Sequence, residues 1–563
     1  MNKRISLVLM SASILAVTSC SKLGNLSADN FKVTPTPLEE IGGEVPATVS
    51  GVFPEKYMKK KAVVTVTPVL KFNGREVAGQ SATFQGEKVQ GNGTAIQYKV
   101  GGTYTMKATF PYEADMMNSD LYARFEARIG NKEVSVPEVK IGHGVLSTSQ
   151  LLTACSTKAS TASDAFQRVI EHKQEANIKF LINQANLRAS EKKSVSISEL
   201  VNILKEINNN SEERALQSIQ VSAYASPDGS YSFNEKLAEK RQNVSADYLR
   251  EQLKKLKMDA DIDTKFTAED WEGFQELISK SNLLDKDVIL RVLSMYKDPE
   301  EREKQIRNMS SVYTELADGI MPELRRARLI VNYEVIGRSD SQIVEAMNEK
   351  SADLSIEEML RAANVLTKDN DTRKQWYKQI IQQYPDDCRA YNNLAQIAIS
   401  EGNWTEAESY LSQAKSKDSR SAETNANLAL IALQKGDKSL AECYLAQASG
   451  ADTFSEISGA LSIAKGNYSQ AQKSLTGSNS NTAALAQIMN KDYAAATHTL
   501  DNVSKPDGTT HYLKAIIAAR TNNAASVTAE LKSAIAKNPA LAQRAAKDIE
   551  FQQYANAVAS SVK

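Results

Sequence analysis

Seven residues in the C-terminal part of the chain recur at a single offset. Leu394 returns as Leu428, Ala395 as Ala429, Ala398 as Ala432, Gly402 as Gly436, Ala407 as Ala441, Tyr410 as Tyr444 and Ala414 as Ala448, each 34 positions on. A fixed period of this length means one supersecondary unit stacked on copies of itself, because a lone unit cannot bury its apolar face. The recurring residues are mostly small, which lets paired helices approach closely, and a glycine falls where the chain breaks between them. Poorer copies flank the good ones: Gly466-Asn467-Tyr468 with Ala471, Lys491-Asp492-Tyr493 with Ala496, and Asn522-Asn523 with Leu531 and Ala534, with an earlier one over residues 362–384. Residues 352–563 are therefore predicted to form an all-α solenoid of about five or six helix pairs.

The period and the residue types resemble the tetratricopeptide repeat. The resemblance implies a curved array that takes protein partners on its concave face. Most of the recurring Ala, Gly and Tyr positions are packing residues, so they do not identify the partner.

The N-terminal end reads as an export signal. Lys3 and Arg4 precede a mostly apolar run over residues 5–16, too short to span a bilayer, which ends at Val17-Thr18-Ser19-Cys20. This ending resembles the lipobox of bacterial lipoproteins. The resemblance implies a signal peptide over residues 1–19, lipidation of Cys20, and a chain anchored in the outer membrane facing the periplasm, not spanning it, while the polar, aperiodic residues that follow read as a flexible tether over 20–32. Cys155, Cys388 and Cys443 lack metal-ligand spacing and the even count of a disulfide framework, so buried free thiols are expected. The 68 basic residues balance 68 acidic ones, which argues against a nucleic-acid partner.

A chain of 563 residues is too long for one core and predicts three or four domains. Short alternating runs such as residues 62–70 and 96–100, with turns at Asn73-Gly74 and Gly101-Gly102, predict an all-β sandwich over 33–145. A stretch rich in Ser, Thr and Ala follows, with no apolar stripe, and 146–165 is read as a linker. Over 166–337 strand signals at 176–182, 219–223, 259–266 and 327–335 alternate with helices at 197–207 and 234–256. That order predicts an α+β domain, a mixed sheet with helices on one face. Residues 338–351 are read as a second linker.

Within that domain, Ser226-Pro227-Asp228-Gly229 is followed by Asn234, Leu237 and Arg241 and then by Asp247-Tyr248-Leu249. The spacing from Gly229 onward resembles the peptidoglycan-binding signature of OmpA-like domains, and Arg325-Arg326 resembles the paired arginines that open the family's last strand. The resemblance implies that Asp228, Asn234 and Arg241 hold the diaminopimelate of a peptidoglycan stem peptide, which needs both signs of charge. Two departures stand out. Ser226 occupies the position of the family aspartate, leaving Asp228 two residues closer to the helix, and residues 267–324 replace a short connection with a helical insertion. On the residues alone, Asp228-Gly229 can be a plain turn, and Arg241 a solvated residue on a helix that buries Leu237, Val244 and Tyr248.

Other signals are weak. Asp259, Asp261 and Asp263 lack the glycine and closing glutamate of a calcium loop, so an edge strand is the better reading. Ser190 and Lys193 have serine–lysine spacing, common by chance in a chain this rich in both residues. The four histidines, His143, His172, His498 and His511, form no metal motif. No catalytic motif, cofactor or metal site is expected. The chain reads as a non-catalytic envelope lipoprotein that tethers the outer membrane to peptidoglycan, scaffolds a complex, or both. The alternative is an assembly or secretion scaffold whose OmpA-like domain no longer binds the wall.

Overall fold

A computed structural model describes residues 23–152, 157–308, 314–349 and 351–562. Cys20 and the signal segment lie outside the described residues, as does Cys155. The chain divides into two compact units. One joins the chain up to Ser163 with Lys368–Lys563, and the other is Asp164–Thr367.

The first unit begins with a β-rich region of several sheets. Glu44–Phe53 pairs antiparallel with Phe31–Thr34 and with Gly102–Pro111. Ala62–Phe72 is central to a larger sheet, flanked by Asp120–Ile129 and Ala82–Gly86. Alternate residues of these strands are buried, as the period of two in the sequence requires, and Val45, Val64, Leu70, Phe110 and Leu121 share one core. Two expectations need correction. Residues 23–32 are not a flexible tether throughout, because Leu23 is buried in this core, Leu26 packs on it and Phe31 already begins a strand. The strand expected at 96–100 is only Thr94–Ile96, after which Gln97 bridges to Gly101 and the chain turns.

The second part of this unit is a stack of helix pairs. The preceding helix is Asn370–Gln383, and the pairs are Cys388–Ser400 with Trp404–Lys417, Ala422–Gln434 with Lys438–Leu445, Phe454–Ala464 with Tyr468–Ser474, Asn481–Met489 with Tyr493–Asp501, and Gly508–Arg520 with Ala524–Lys537. The first helices of the first two pairs are called α1 (Cys388–Ser400) and α2 (Ala422–Gln434) below. Gly402 and Gly436 end these helices at positive φ, and the recurring Ala395, Ala407, Ala429 and Ala441 are fully buried between them. The unit boundary falls at Thr367, not at 352. Cys443 is exposed and Cys388 half-buried, not buried as expected, because both thiols lie off the packed alanine stripe.

The unit Asp164–Thr367 holds a four-stranded sheet. Its strands are β1 (Val169–Lys179), β2 (Arg214–Tyr224), β3 (Ile262–Thr267) and β4 (Arg326–Ile336), in the order β1-β4-β2-β3. β2 and β3 are parallel and the other pairs antiparallel, so the sheet is mixed. Helices α3 (Val195–Asn209) and α4 (Tyr231–Leu256) bury Ile197, Leu200, Leu204 and Leu249 against Ile219, Val221 and Leu329. β3 is an edge strand. The insertion forms short helices with a small core of their own around Phe274, Ile289 and Leu316. Residues 338–351 are not a plain linker. Asp340–Glu349 is a helix that buries Ile343 and Met347, four apart on one face. Among the described residues no helix is long and apolar enough to cross a membrane.

Candidate functional site

The turn from β2 into α4 brings together the three residues singled out in the sequence. Arg241 lies three turns into α4 and is only 1% exposed. Its Nε donates to the Gln184 carbonyl at 3.0 Å, Nη1 to the Tyr224 carbonyl at 2.9 Å and Nη2 to the Leu181 carbonyl at 3.2 Å. The guanidinium also lies 5.2 Å from the Phe180 ring centroid. Burial lowers its pKa to about 10, the nearby Arg325 adds to the shift and Asp228 opposes it, so it stays charged at neutral pH. Arg241 is therefore not the solvated helix residue of the plain reading. It ties the loop of Leu181 and Gln184 to the end of β2 at Tyr224.

Asp228 and Asn234 are engaged as well. Asp228 accepts from Arg325 Nη2 at 2.9 Å and from Ser226 Oγ at 2.5 Å, while its carbonyl accepts from Arg307. Asn234 donates to the carbonyls of Ser226 and Gly229 at 3.1 and 3.0 Å, which fixes the turn in place. Arg325 and Arg326, the paired arginines, are taken by Asp228 and by Asp270, whose carboxylate also caps the helix Trp271–Lys280. Burial pushes the Asp270 carboxyl up against the opposing pull of Gly273 N–H and Arg326. Three guanidinium groups, Arg241, Arg307 and Arg325, surround Asp228, and Glu303 pairs with Arg307 beside it.

A second cluster, unforeseen from the sequence, lies in the repeat array. The Ser/Thr/Ala segment read as a linker is buried rather than free: Thr157, Ala159, Ser160 and Ala162 are all under 5% exposed. It runs along the first helices of the array. Leu151 and Leu152 meet Thr482, Leu485 and Leu513 of later pairs, and residues 160 and 162 meet α2 and α1. Asn427 on α2 accepts from Ser160 N–H at 2.7 Å and donates to the Ser160 carbonyl at 2.8 Å. Asn393 on α1 does the same for Ala162, at 2.8 and 2.9 Å. Asn392 bridges them, donating to the Ser160 carbonyl at 3.2 Å and accepting from Asn427 at 2.9 Å. All three asparagines are fully buried. The signal was present in the sequence, because Asn393 and Asn427 are also 34 positions apart, yet apolar and glycine coincidences dominate a search for packing.

Further contacts hold the N-terminal end of the segment. Arg544 donates to the Ser147 carbonyl at 2.8 Å, Thr148 Oγ1 donates to Glu550, and Ser149 Oγ donates to Glu40. The turn after Leu38–Glu39 also touches the array: Lys438 Nζ donates to the Gly42 carbonyl at 2.8 Å and Tyr468 to that of Glu40 at 3.3 Å. Gly42 has φ +64 and a side chain there would meet the Lys465 carbonyl at 2.9 Å, so only glycine suits this approach.

The sequence profile of the tetratricopeptide repeat matches residues 376–409, which take in the end of Asn370–Gln383, all of α1 and the start of Trp404–Lys417. The C-terminal half of the chain carries tetratricopeptide repeats. Among solved structures, the chain is similar to a tetratricopeptide repeat protein from Parabacteroides merdae, with 12% identity over 46% of this chain and 98% of that one and a TM-score of 0.30. It is also similar to PilF of Pseudomonas aeruginosa, at 16% identity over 38% of this chain and 98% of that one, with a TM-score of 0.28. A third similarity is to the Cut9–Hcn1 hetero-tetramer of the APC/C, at 12% identity over 64% and 82% of the two chains and a TM-score of 0.25. These similarities are too distant to carry residue roles across. A search of curated proteins returned no match. As a repeat protein of this kind, the chain is a protein–protein interaction scaffold.

Proposed function

We infer that the scaffold is a non-catalytic lipoprotein of the cell envelope, exported by its signal peptide and held in the outer membrane through a lipid on Cys20. The observation that carries the scaffold reading is the repeat array, whose stacked first helices grip an extended polypeptide by its backbone. The lipobox-like Val17-Thr18-Ser19-Cys20 carries the location. The role of Cys20 is tested by fractionating cells that express the full chain. The wild type should sediment with outer membranes and gain the mass of an acylated N-terminus. Cys20→Ser should lose both, and a Cys20→Ser chain that still sediments with membranes and bears lipid would refute the anchor.

A second reading, a wall tether, is supported by the convergence of Asp228, Asn234, Arg241 and Arg325 in the OmpA-like segment. Three guanidinium groups, Arg241, Arg307 and Arg325, against the carboxylates of Asp228 and Glu303 leave an excess positive charge suited to a ligand carboxylate. Weighing against it, three donors of Arg241 are already taken by backbone carbonyls and Asp228 is held by Arg325 and Ser226. Co-sedimentation of the detergent-solubilised full chain with purified peptidoglycan sacculi separates the readings. Binding that Asp228→Asn abolishes makes the chain a tether, and no binding by the wild type leaves the scaffold alone.

A further inference from the structure

We propose that Asn392, Asn393 and Asn427 form a strand-binding site, that residues 157–163 are its resident ligand, and that an extended strand of a partner protein enters by displacing them. This deepens the scaffold reading by naming the chemistry of what the array holds.

The argument starts from the backbone. Ser160 and Ala162 are two apart, and alternate residues of an extended chain turn their backbone groups to the same side. Each presents its N–H and its C=O to one asparagine carboxamide, which has one donor face and one acceptor and so pairs with a peptide unit as a neighbouring β-strand would. The two asparagines are one repeat apart and take two backbone units two residues apart. None of these four bonds reads a side chain. The side chain of Ser160 makes one further bond, to Asp452 Oδ1 at 2.5 Å.

What the site does read is size. Ala159, Ser160 and Ala162 are buried against the helices, with Ala159 in the same core as Ala395, Ala429 and Leu430, so small side chains are what the site holds as it stands. The ligand class is therefore an extended strand with Ser, Ala or Gly at the two gripped positions and no proline there, since each must donate an N–H. A grip on backbone alone does not depend on which chain supplies the strand. A partner's strand competes at a disadvantage set by how seldom the resident one leaves.

The test uses the full chain and a fluorescein-labelled synthetic peptide with the sequence of residues 157–165, read by fluorescence anisotropy. Two variants loosen the resident strand without touching the asparagines. Ser160→Glu sets a carboxylate against Asp452, and Ala162→Pro removes the N–H given to Asn393. Either variant that keeps the wild-type circular dichroism and thermal transition serves, so one misfolded chain does not end the test. The opened chain should bind the peptide at least about tenfold more tightly than the wild type. Adding Asn393→Ala and Asn427→Ala should remove that gain, as should proline in the peptide at the position of residue 162. Binding that is equal in the wild type and the opened chain, or that survives loss of the asparagines, overturns the proposal. Because the peptide is offered to purified protein, the outcome is independent of whether Cys20 is lipidated.

Discussion

Arg241 of the sheet unit and Asn427 of the repeat array are alike in several ways. Both are buried polar side chains on helices, both bond to main chain and both hold a segment distant in sequence. They differ in what they offer. Arg241 is a pure donor whose acceptors are two carbonyls of one loop and the carbonyl at the end of β2, all within its own domain, so its bonding closes on itself. Asn427 offers a donor and an acceptor together, the complement of any extended backbone, and what it holds is a strand instead of a turn. A buried polar group thus suits an extended strand when its donor and acceptor together match the repeating backbone, and serves architecture when it only donates to carbonyls of its own domain.

The largest effect should come from Arg241→Ala. It leaves three carbonyls without a charged donor inside the sheet unit, and urea unfolding followed by circular dichroism should show a loss of about 3–5 kcal/mol. Little or no loss would break the comparison and return Arg241 to the candidate ligand-binding residues.

Asn427→Ala should cost less, about 2–3 kcal/mol, because Ser160 N–H is left buried without its acceptor while the Ser160 carbonyl keeps Asn392. Hydrogen exchange should show the amides of Ser160 and Ala162 losing protection before the rest of the array, and unchanged protection would mean that packing alone holds the strand.

Asp228→Asn sharpens the contrast from the other side. Its pair with Arg325 is mostly buried, so about 1–2 kcal/mol should be lost from the sheet unit in the same urea assay. The smallest effect is Glu408→Ala, which removes an exposed pair with Lys435 that solvent screens, and its melting curve should change by less than about 0.5 kcal/mol.

Much of the fold was legible because it rests on local periodicity. The 34-residue repeat located the helix pairs, and the alternation of β2 and β4 and the apolar faces of α3 and α4 appeared near their predicted positions. The site was less legible. The Asp228, Asn234 and Arg241 spacing pointed to a cluster that does come together, but spacing cannot say whether a guanidinium is saturated by neighbouring loops. Residues 146–165 failed as a prediction for a related reason. A linker is recognised by lacking an apolar stripe, and this segment is held by backbone hydrogen bonds and small side chains, which leave no stripe to see.

By itself the sequence determined the parts: a solenoid of helix pairs from its period, a mixed sheet with helices from its alternation, and an expected export signal and lipid site from a short run ending at Cys20. Only the tertiary structure decided that a Ser/Thr/Ala segment lies in the array and that three asparagines hold it. Periodicity reports which side chains are buried together within one element, whereas the pairing of Ser160 with Asn427 spans 267 residues and is carried by main-chain groups that every residue shares.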